Sequence, residues 1–246
     1  MIERQIAVPT SAGLMSTFMC HPERLGPHPI VIFFMDAPGI REELRDMARR
    51  LATVGYYVLL PNLYYRSNVE ELGPFIGEAG AAVRDKIWPL MESLTIDKVM
   101  DDTDALLAFV GTDDAASKGR VHCVGYCMSG QYAISAAARH PHRVASAASI
   151  YGTRLMTDQA DSPHLAARRA KAALYIGCAE IDHFAPLETV APLRESLRDG
   201  GVNAEVELYP GVEHGFAFPQ RPAYDKAAAE RHWERLFALF ATGRTQ

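Results

Sequence analysis

The segment RVHCVGYCMSGQYAISAAARH, residues 120–140, decides how this chain folds. An apolar run ends at Gly125, and an alanine-rich stretch with the composition of a helix begins at Gly130. Cys127 stands alone between them, with Gly125 two residues before it and Ser129 two residues after it. A strand that turns this sharply into a helix accepts only small side chains at two positions, two residues before and two residues after the central residue. The segment therefore predicts a strand, a tight turn centred on Cys127, and a helix.

Apolar runs and amphipathic stretches alternate along the rest of the chain. The runs that read as buried strands cover residues 30–35, 56–60, 121–126, 144–151, 172–178 and 204–210. Apolar residues at helical spacing separate most of them, over residues 40–52, 99–110, 130–139, 187–197 and 229–240. Such alternation favours parallel strands joined by helical crossovers, and two β-like runs around Gly13 add antiparallel strands at one edge. We predict an α/β fold with a doubly wound, mostly parallel sheet of about eight strands.

Length and composition agree with one α/β domain over residues 1–246. The chain has 246 residues, of which 48% are hydrophobic, so it can bury a sizeable core. Residues 62–95 are the least regular part, and we expect them to form a partial cover over a site. The net charge of −5 is spread along the chain without a basic block, so no nucleic-acid partner is expected.

The termini and the cysteines predict a cytoplasmic protein without membrane contact. The chain starts as an alternating strand pattern, with no apolar region typical of an export signal and no apolar run near 18 residues elsewhere. Its four cysteines are too sparse for a disulfide framework, which indicates reduced thiols. His140 and His142 lack further ligands at metal-binding spacing, so we expect neither a metal nor another cofactor. The oligomeric state stays open.

The tight turn makes Cys127 the candidate nucleophile. In an open parallel sheet, ligands bind at the carboxyl ends of the strands, where Cys127 lies. The start of a helix favours a thiolate and offers backbone N–H groups to a developing oxyanion. Ser129 is the rival, but a turn centred on it would put Gln131 at a position that needs a small residue. The alternative is that Cys127 is an inert buried thiol.

A cysteine nucleophile needs a base, and the base needs an orienting acid. Asp182 follows the strand at 172–178, and His214 follows the strand at 204–210, which suits the order nucleophile, acid, histidine. His183 is a rival base, but it precedes the last strand and breaks that order. Glu180 is a rival acid that lies closer to its strand end. Taken alone, His214 also fits a turn histidine at a strand end.

Over nearly its whole length the sequence resembles the dienelactone hydrolases, also called carboxymethylenebutenolidases. The segments that carry the resemblance are PIVIFFMDAPGIRE, GYYVLLPNLYYR, DKIWPL, VGYCMSG, AEIDHFAP and EHGFAF. The resemblance implies an α/β-hydrolase fold with Cys127 as nucleophile, Asp182 as acid and His214 as base. It also implies that Asp36, where the family's type enzyme has glutamate, regulates the thiol. Asp36 alternatively caps a plain turn before a helix.

The predicted function is hydrolysis of a lactone or carboxylic ester through a cysteine nucleophile and a thioester. Backbone N–H groups of Met128 and Ala37 would hold the oxyanion. A thiolate is a good leaving group, which favours activated esters and enol lactones over amides. The alternative is a broad carboxylesterase or thioesterase on the same scaffold. A third possibility is a non-catalytic small-molecule binder or redox sensor.

The substrate site departs from the family pattern. Family members clamp a substrate carboxylate with two arginines, and the matching positions here are Ala81 and Phe218. Arg84 and Arg221 lie close by in sequence and are possible substitutes. Aromatic residues are expected to line a pocket for a neutral, mainly apolar group: Tyr64, Trp88, Phe216 and Phe218. The sequence therefore predicts that neutral lactones or short aryl esters are hydrolysed at least as well as carboxylated ones.

Overall fold

A computed structural model describes residues 1–73 and 77–242, and the chain forms two compact units, Met1–Val121 and His122–Gln246. Among its described residues, the first unit has the strands β1 (Ile2–Thr10), β2 (Gly13–His21), β3 (Ile30–Phe34) and β4 (Tyr57–Pro61). They are hydrogen-bonded in the order β1-β2-β4-β3. Strands β1 and β2 are antiparallel, as are β2 and β4, whereas β3 and β4 are parallel. The predicted antiparallel edge around Gly13 is therefore confirmed.

Three helices lie in the described part of the first unit: α1 (Glu42–Thr53), α2 (Gly77–Ser93) and α3 (Ile96–Val110). Helix α1 packs against β2 and β4 with its apolar face, and Thr95 caps α3 by accepting the Lys98 backbone N–H. Helix α2 occupies much of the region that the sequence indicated to be irregular. Its glycines and Pro89 are poor helix formers, and they obscure the helical pattern. That residues 62–95 cover a site stays a prediction.

Apart from its first residue, β5 (Val121–Tyr126) belongs to the second unit, which continues with β6 (Val144–Ile150), β7 (Ala173–Ile181) and β8 (Ala204–Glu213). These strands are neighbours in that order, and β6, β7 and β8 pair in parallel. The helices are α4 (Gly130–Arg139), α5 (Pro163–Ala166), α6 (Val190–Asp199) and α7 (Lys226–Thr242). Helix α4 packs on β6, α6 on β8, and α7 on β6 and β7.

The predicted α/β class is confirmed, because eight strands alternate with helices over residues 1–73 and 77–242 and most of the paired strands are parallel. Strands β3, β4, β5 and β6 are buried along their whole length, as their continuous apolar runs require. Among the described residues, no helix has both the length and the apolar character needed to cross a bilayer.

Candidate active site

The turn between β5 and α4 holds Cys127 in a strained backbone conformation. Its φ angle is 53°, in the left-handed region that residues with a Cβ rarely occupy. A single 3-10 turn, Cys127–Ser129, leads into α4. A Cβ placed on Gly125 would lie 2.0 Å from the Ser129 carbonyl oxygen, so only glycine fits at this position. Cys127 is half-buried, whereas the rival Ser129 is fully buried, which leaves the cysteine as the accessible side chain.

The start of α4 packs tightly against the end of β6. A Cβ on Gly130 would lie 2.3 Å from Ser149 Oγ and 2.5 Å from the Gly152 Cα. The Thr153 backbone N–H donates to the Cys127 carbonyl over 3.0 Å, which ties the loop after β6 to the turn. Small residues and one backbone hydrogen bond therefore hold Cys127 in its strained conformation.

An irregularity in the pairing of β7 with β8 lies directly before Asp182. Ala179 pairs with Tyr209, but Ile181 pairs with Glu213, so β8 carries extra residues at this point. Glu180, the rival acid, accepts the Gly211 backbone N–H over 2.6 Å and so holds the extra residues of β8. Such bulges redirect side chains at the ends of strands. Here the bulge precedes the two loops that carry Asp182 and His214.

Asp182 and His214 form a hydrogen-bonded pair, and the two oxygens of the carboxylate bind different partners. Oδ2 lies 2.7 Å from His214 Nδ1. Oδ1 accepts the backbone N–H groups of Phe184 and Ala185 over 2.8 and 2.9 Å. The carboxylate side chain is 1% exposed and the imidazole 11% exposed, so both are shielded from water. This arrangement fixes the orientation of the imidazole.

The other ring nitrogen of His214 lies on the side of Cys127. Nε2 is buried and forms no hydrogen bond of regular geometry, although the thiol is close enough to affect its titration. Burial lowers the pKa of His214, but hydrogen bonding and charge from Asp182 and Cys127 outweigh burial and raise the pKa to about 9. With this pKa the imidazole carries its second proton at neutral pH.

Two aromatic rings that the sequence did not single out enclose His214. The ring of Tyr151 lies 4.9 Å from the imidazole, and the ring of Phe184 meets it edge-on at 5.0 Å. Tyr151 directly follows β6, at the carboxyl end of a strand, and Phe184 comes two residues after Asp182. The rule that ligand-contacting residues follow the strands would have identified both.

The structure places the aromatic residues after His214 in the interior instead of a pocket. Phe216 and Phe218 are both 0% exposed, and their rings pack on Tyr151. The Arg221 guanidinium lies over the Phe218 ring, 5.3 Å from its centroid. His183, the rival base, is exposed, whereas Met128 is buried. These positions favour His214 over His183 and give Phe216 and Phe218 a packing role.

The first unit contains Asp36 in a buried ion-pair cluster. Arg41 donates to both oxygens of Asp36, over 2.5 and 3.2 Å, and to Glu43 over 2.7 Å. A carboxylate held by a bidentate guanidinium is fixed in position. Tyr64 is also buried, and its hydroxyl donates to the Ala37 carbonyl over 2.7 Å. Tyr64 thus orders the backbone at Ala37 in addition to any role toward a ligand.

The remaining predicted binding residues lie on α2. Arg84 is exposed there, and Trp88 is 60% exposed. The side chain of Ala81 lies outside the described residues. No group of three or more His, Cys, Asp or Glu within the described ranges is placed to hold a metal ion.

The mostly parallel strands, their flanking helices and the tight turn between β5 and α4 are those of the α/β-hydrolase fold. The family model described as "Dienelactone hydrolase family" matches residues 15–243. The chain therefore belongs to the dienelactone hydrolase family, and the resemblance that the sequence motifs indicated is confirmed.

Individual relatives agree with this assignment. A protein from Methylorubrum extorquens named "Putative carboxymethylenebutenolidase" is 28% identical, over 96% of this chain and 79% of its own length. A protein of the same name from Escherichia coli K12 is 27% identical, over 95% and 84%. The solved structure titled "Crystal Structure of Putative Dienelactone Hydrolase from Klebsiella pneumoniae" has a TM-score of 0.81 at 25% identity and covers 98% of both chains. The chain is accordingly a hydrolase, and an ester or lactone substrate is consistent with these relatives.

Proposed function

We propose that this protein hydrolyses a lactone or carboxylic ester with Cys127 as nucleophile, His214 as base and Asp182 as orienting acid. The observation that carries the proposal is the buried Asp182–His214 pair, whose hydrogen bond of 2.7 Å leaves Nε2 directed toward a cysteine in a nucleophile turn. An inert structural thiol needs neither the strained backbone nor a charged histidine beside it.

The reaction proceeds in two halves. The Cys127 thiolate attacks the carbonyl carbon, and the electron pair of the carbonyl moves to oxygen. Backbone N–H groups of Met128 and Ala37 are the proposed oxyanion donors. Collapse of this intermediate breaks the bond to the leaving oxygen, which takes the proton of the His214 imidazolium. Water, deprotonated by His214, then attacks the thioester and releases the acid and the thiolate.

The nucleophile type sets the class of substrate. A thiolate is a weaker base than an alkoxide, so an intermediate built on sulfur expels the thiolate more readily than it expels an amine. Amides should therefore react poorly. Esters with acidic alcohols and enol lactones should react well, because their leaving oxygens need little protonation.

Rapid mixing with p-nitrophenyl acetate tests the proposal. We expect an initial release of p-nitrophenolate close to one equivalent per active site, with Cys127 carrying the acetyl group in a quenched sample read by mass spectrometry. Cys127→Ala should lose the burst, the acetylation and the turnover. Cys20→Ala, which removes a thiol on β2 outside the site, is the matched control and should keep all three. Turnover that persists in Cys127→Ala would refute the proposed nucleophile.

A further inference from the structure

A cavity of about 240 Å³ opens beside the candidate histidine. Tyr151 and Phe184 form part of its wall, and both rings contact His214. The rest of the wall comes from the loop that follows Tyr151, from Cys178 on β7, and from the segment 185–193 that leads into α6. The cavity therefore adjoins the proposed reaction centre through the two rings that enclose the base.

The wall of this cavity is mainly apolar, with Leu155, Val190 and Leu193 among its members. Burial raises the pKa of the Cys178 thiol to about 11, so this group is neutral near physiological pH. Arg154 is the only charged side chain among the described residues that line the cavity, and it is exposed. The interior thus suits an uncharged group.

Burial separates the base of the cavity from its mouth. Leu155, Val190 and Leu193 are each less than 10% exposed and form the base, whereas Phe184 is 66% exposed and lies at the mouth. The volume equals that of roughly eight waters, which suits a group of roughly four to eight non-hydrogen atoms.

The loop that walls the cavity is fixed at several points. The Thr153 N–H donates to the Cys127 carbonyl over 3.0 Å, and the Thr157 N–H donates to Ser162 Oγ over 2.9 Å. Tyr151 and Arg154 have φ angles of 38° and 56°, which persist only where surrounding structure enforces them. A wall held in this way cannot readily adapt to longer groups, so the cavity should discriminate by length.

We propose that this cavity binds the acyl group of a neutral, apolar substrate and that Leu193 at its base limits the length of that group. The acyl group becomes attached to Cys127, and the cavity loop is hydrogen-bonded to the carbonyl of that same residue. This proposal rests on the proposed function and identifies its substrate class: esters or lactones with a short, uncharged hydrocarbon acyl portion.

Hydrolysis of p-nitrophenyl esters from acetate to decanoate tests the length limit. We expect kcat/KM to rise by about fourfold per added methylene until the cavity is full, and then to fall. Leu193→Ala should move the optimum to longer chains by one or more carbons, and Leu193→Phe to shorter ones. Leu197→Ala is the matched control, because Leu197 is buried on the same helix outside the cavity and should leave the optimum unchanged. A flat wild-type profile, or an optimum that Leu193 variants do not move, overturns the proposal.

Two further experiments test the same cavity without the Leu193 variants. If the Leu193 variants fail to fold, Met156→Ala and Met156→Trp probe the same cavity from its half-buried loop side. Binding of methyl ketones of increasing length to Cys127→Ala, followed by calorimetry, needs no turnover. A length optimum in binding that moves in the Met156 variants would support acyl binding in the cavity even if the ester assay shows no hydrolysis. Hydrolysis without any length optimum would refute acyl binding in the cavity and leave the proposed function unaffected.

Substrate charge gives an independent check. The p-nitrophenyl esters of pentanoate and monoglutarate differ in a terminal methyl against a carboxylate, and we expect kcat/KM to favour pentanoate by tenfold or more because burial of an unpaired carboxylate is costly. A tenfold preference for the glutarate ester that Arg154→Ala abolishes would overturn the proposal and assign the cavity to an anionic group.

Discussion

The strongest consequence of the site geometry concerns Asp182→Asn. Oδ1 of Asp182 accepts two backbone N–H groups, so an asparagine would keep its carbonyl oxygen at that position. Its NH₂ group would then occupy the position of Oδ2 and face His214 Nδ1. Because NH₂ can only donate, it would stabilise the tautomer with the proton on Nε2, and it would remove the charge that stabilises the imidazolium.

The magnitude follows from the titration of His214. Its pKa of about 9 should fall toward the ordinary value of 6.5, because the contribution of Asp182 is lost while burial still lowers the pKa and Cys127 still raises it. A fall to the ordinary value of 6.5 would reduce the charged fraction of the imidazole at pH 8 from about 0.9 to about 0.03. The alkaline limb of kcat/KM should therefore move from about pH 9 toward pH 6.5.

The assay is kcat/KM for a neutral p-nitrophenyl ester between pH 5 and 10, alongside the rate of Cys127 alkylation by iodoacetamide. Glu180→Gln is the matched control, because this carboxylate accepts a backbone N–H from Gly211 and should leave the limb in place. An alkaline limb that stays near pH 9 in Asp182→Asn would refute the role of Asp182 in charging His214.

The same pair links folding stability to pH. The pKa of His214 is raised in the folded state, so its contribution is complete below about pH 6.5 and is lost as pH rises through about 9. A difference of about 2.5 pH units corresponds to about 3 kcal/mol. Urea unfolding at pH 6 and pH 9.5 should therefore show a larger stability gap between wild type and His214→Ala at pH 6. Equal gaps would contradict the raised pKa.

The remaining predictions concern the turn, the base and the buried carboxylate. Gly125→Ala should unfold the turn or cost about 3 kcal/mol or more, because its Cβ would meet backbone at 2.0 Å, whereas exposed Gly119→Ala should be nearly neutral in urea titrations. His214→Ala should lower ester turnover by several orders of magnitude while His183→Ala changes it little, and the reverse result would reassign the base. Asp36→Asn should cost roughly 3 kcal/mol, since it weakens a buried ion pair; an unchanged pH profile of thiol alkylation in this variant would leave Asp36 with a structural role alone.

The sequence by itself determined the class of fold and the turn at Cys127. Continuous apolar runs identify strands buried on both faces, and the alternation with helical spacing restricts their order. The turn also depends on residues close together in the sequence. Gly125 and the Ser129 carbonyl, which lie within five residues of chain, leave no space for a Cβ at position 125. The order of Cys127, Asp182 and His214 follows from the same local units, and their joint role in catalysis stays a prediction.

Tertiary structure alone decided which side chains surround the candidate base. Phe216 and Phe218 are as aromatic as Tyr151 and Phe184, yet packing buries the first two and sets the other two against His214. The pairing of Asp36 with Arg41 likewise depends on how a turn folds back on itself. Burial and ion pairing depend on distances between segments that the linear pattern does not specify, whereas periodicity and turn sterics act between neighbours in the chain.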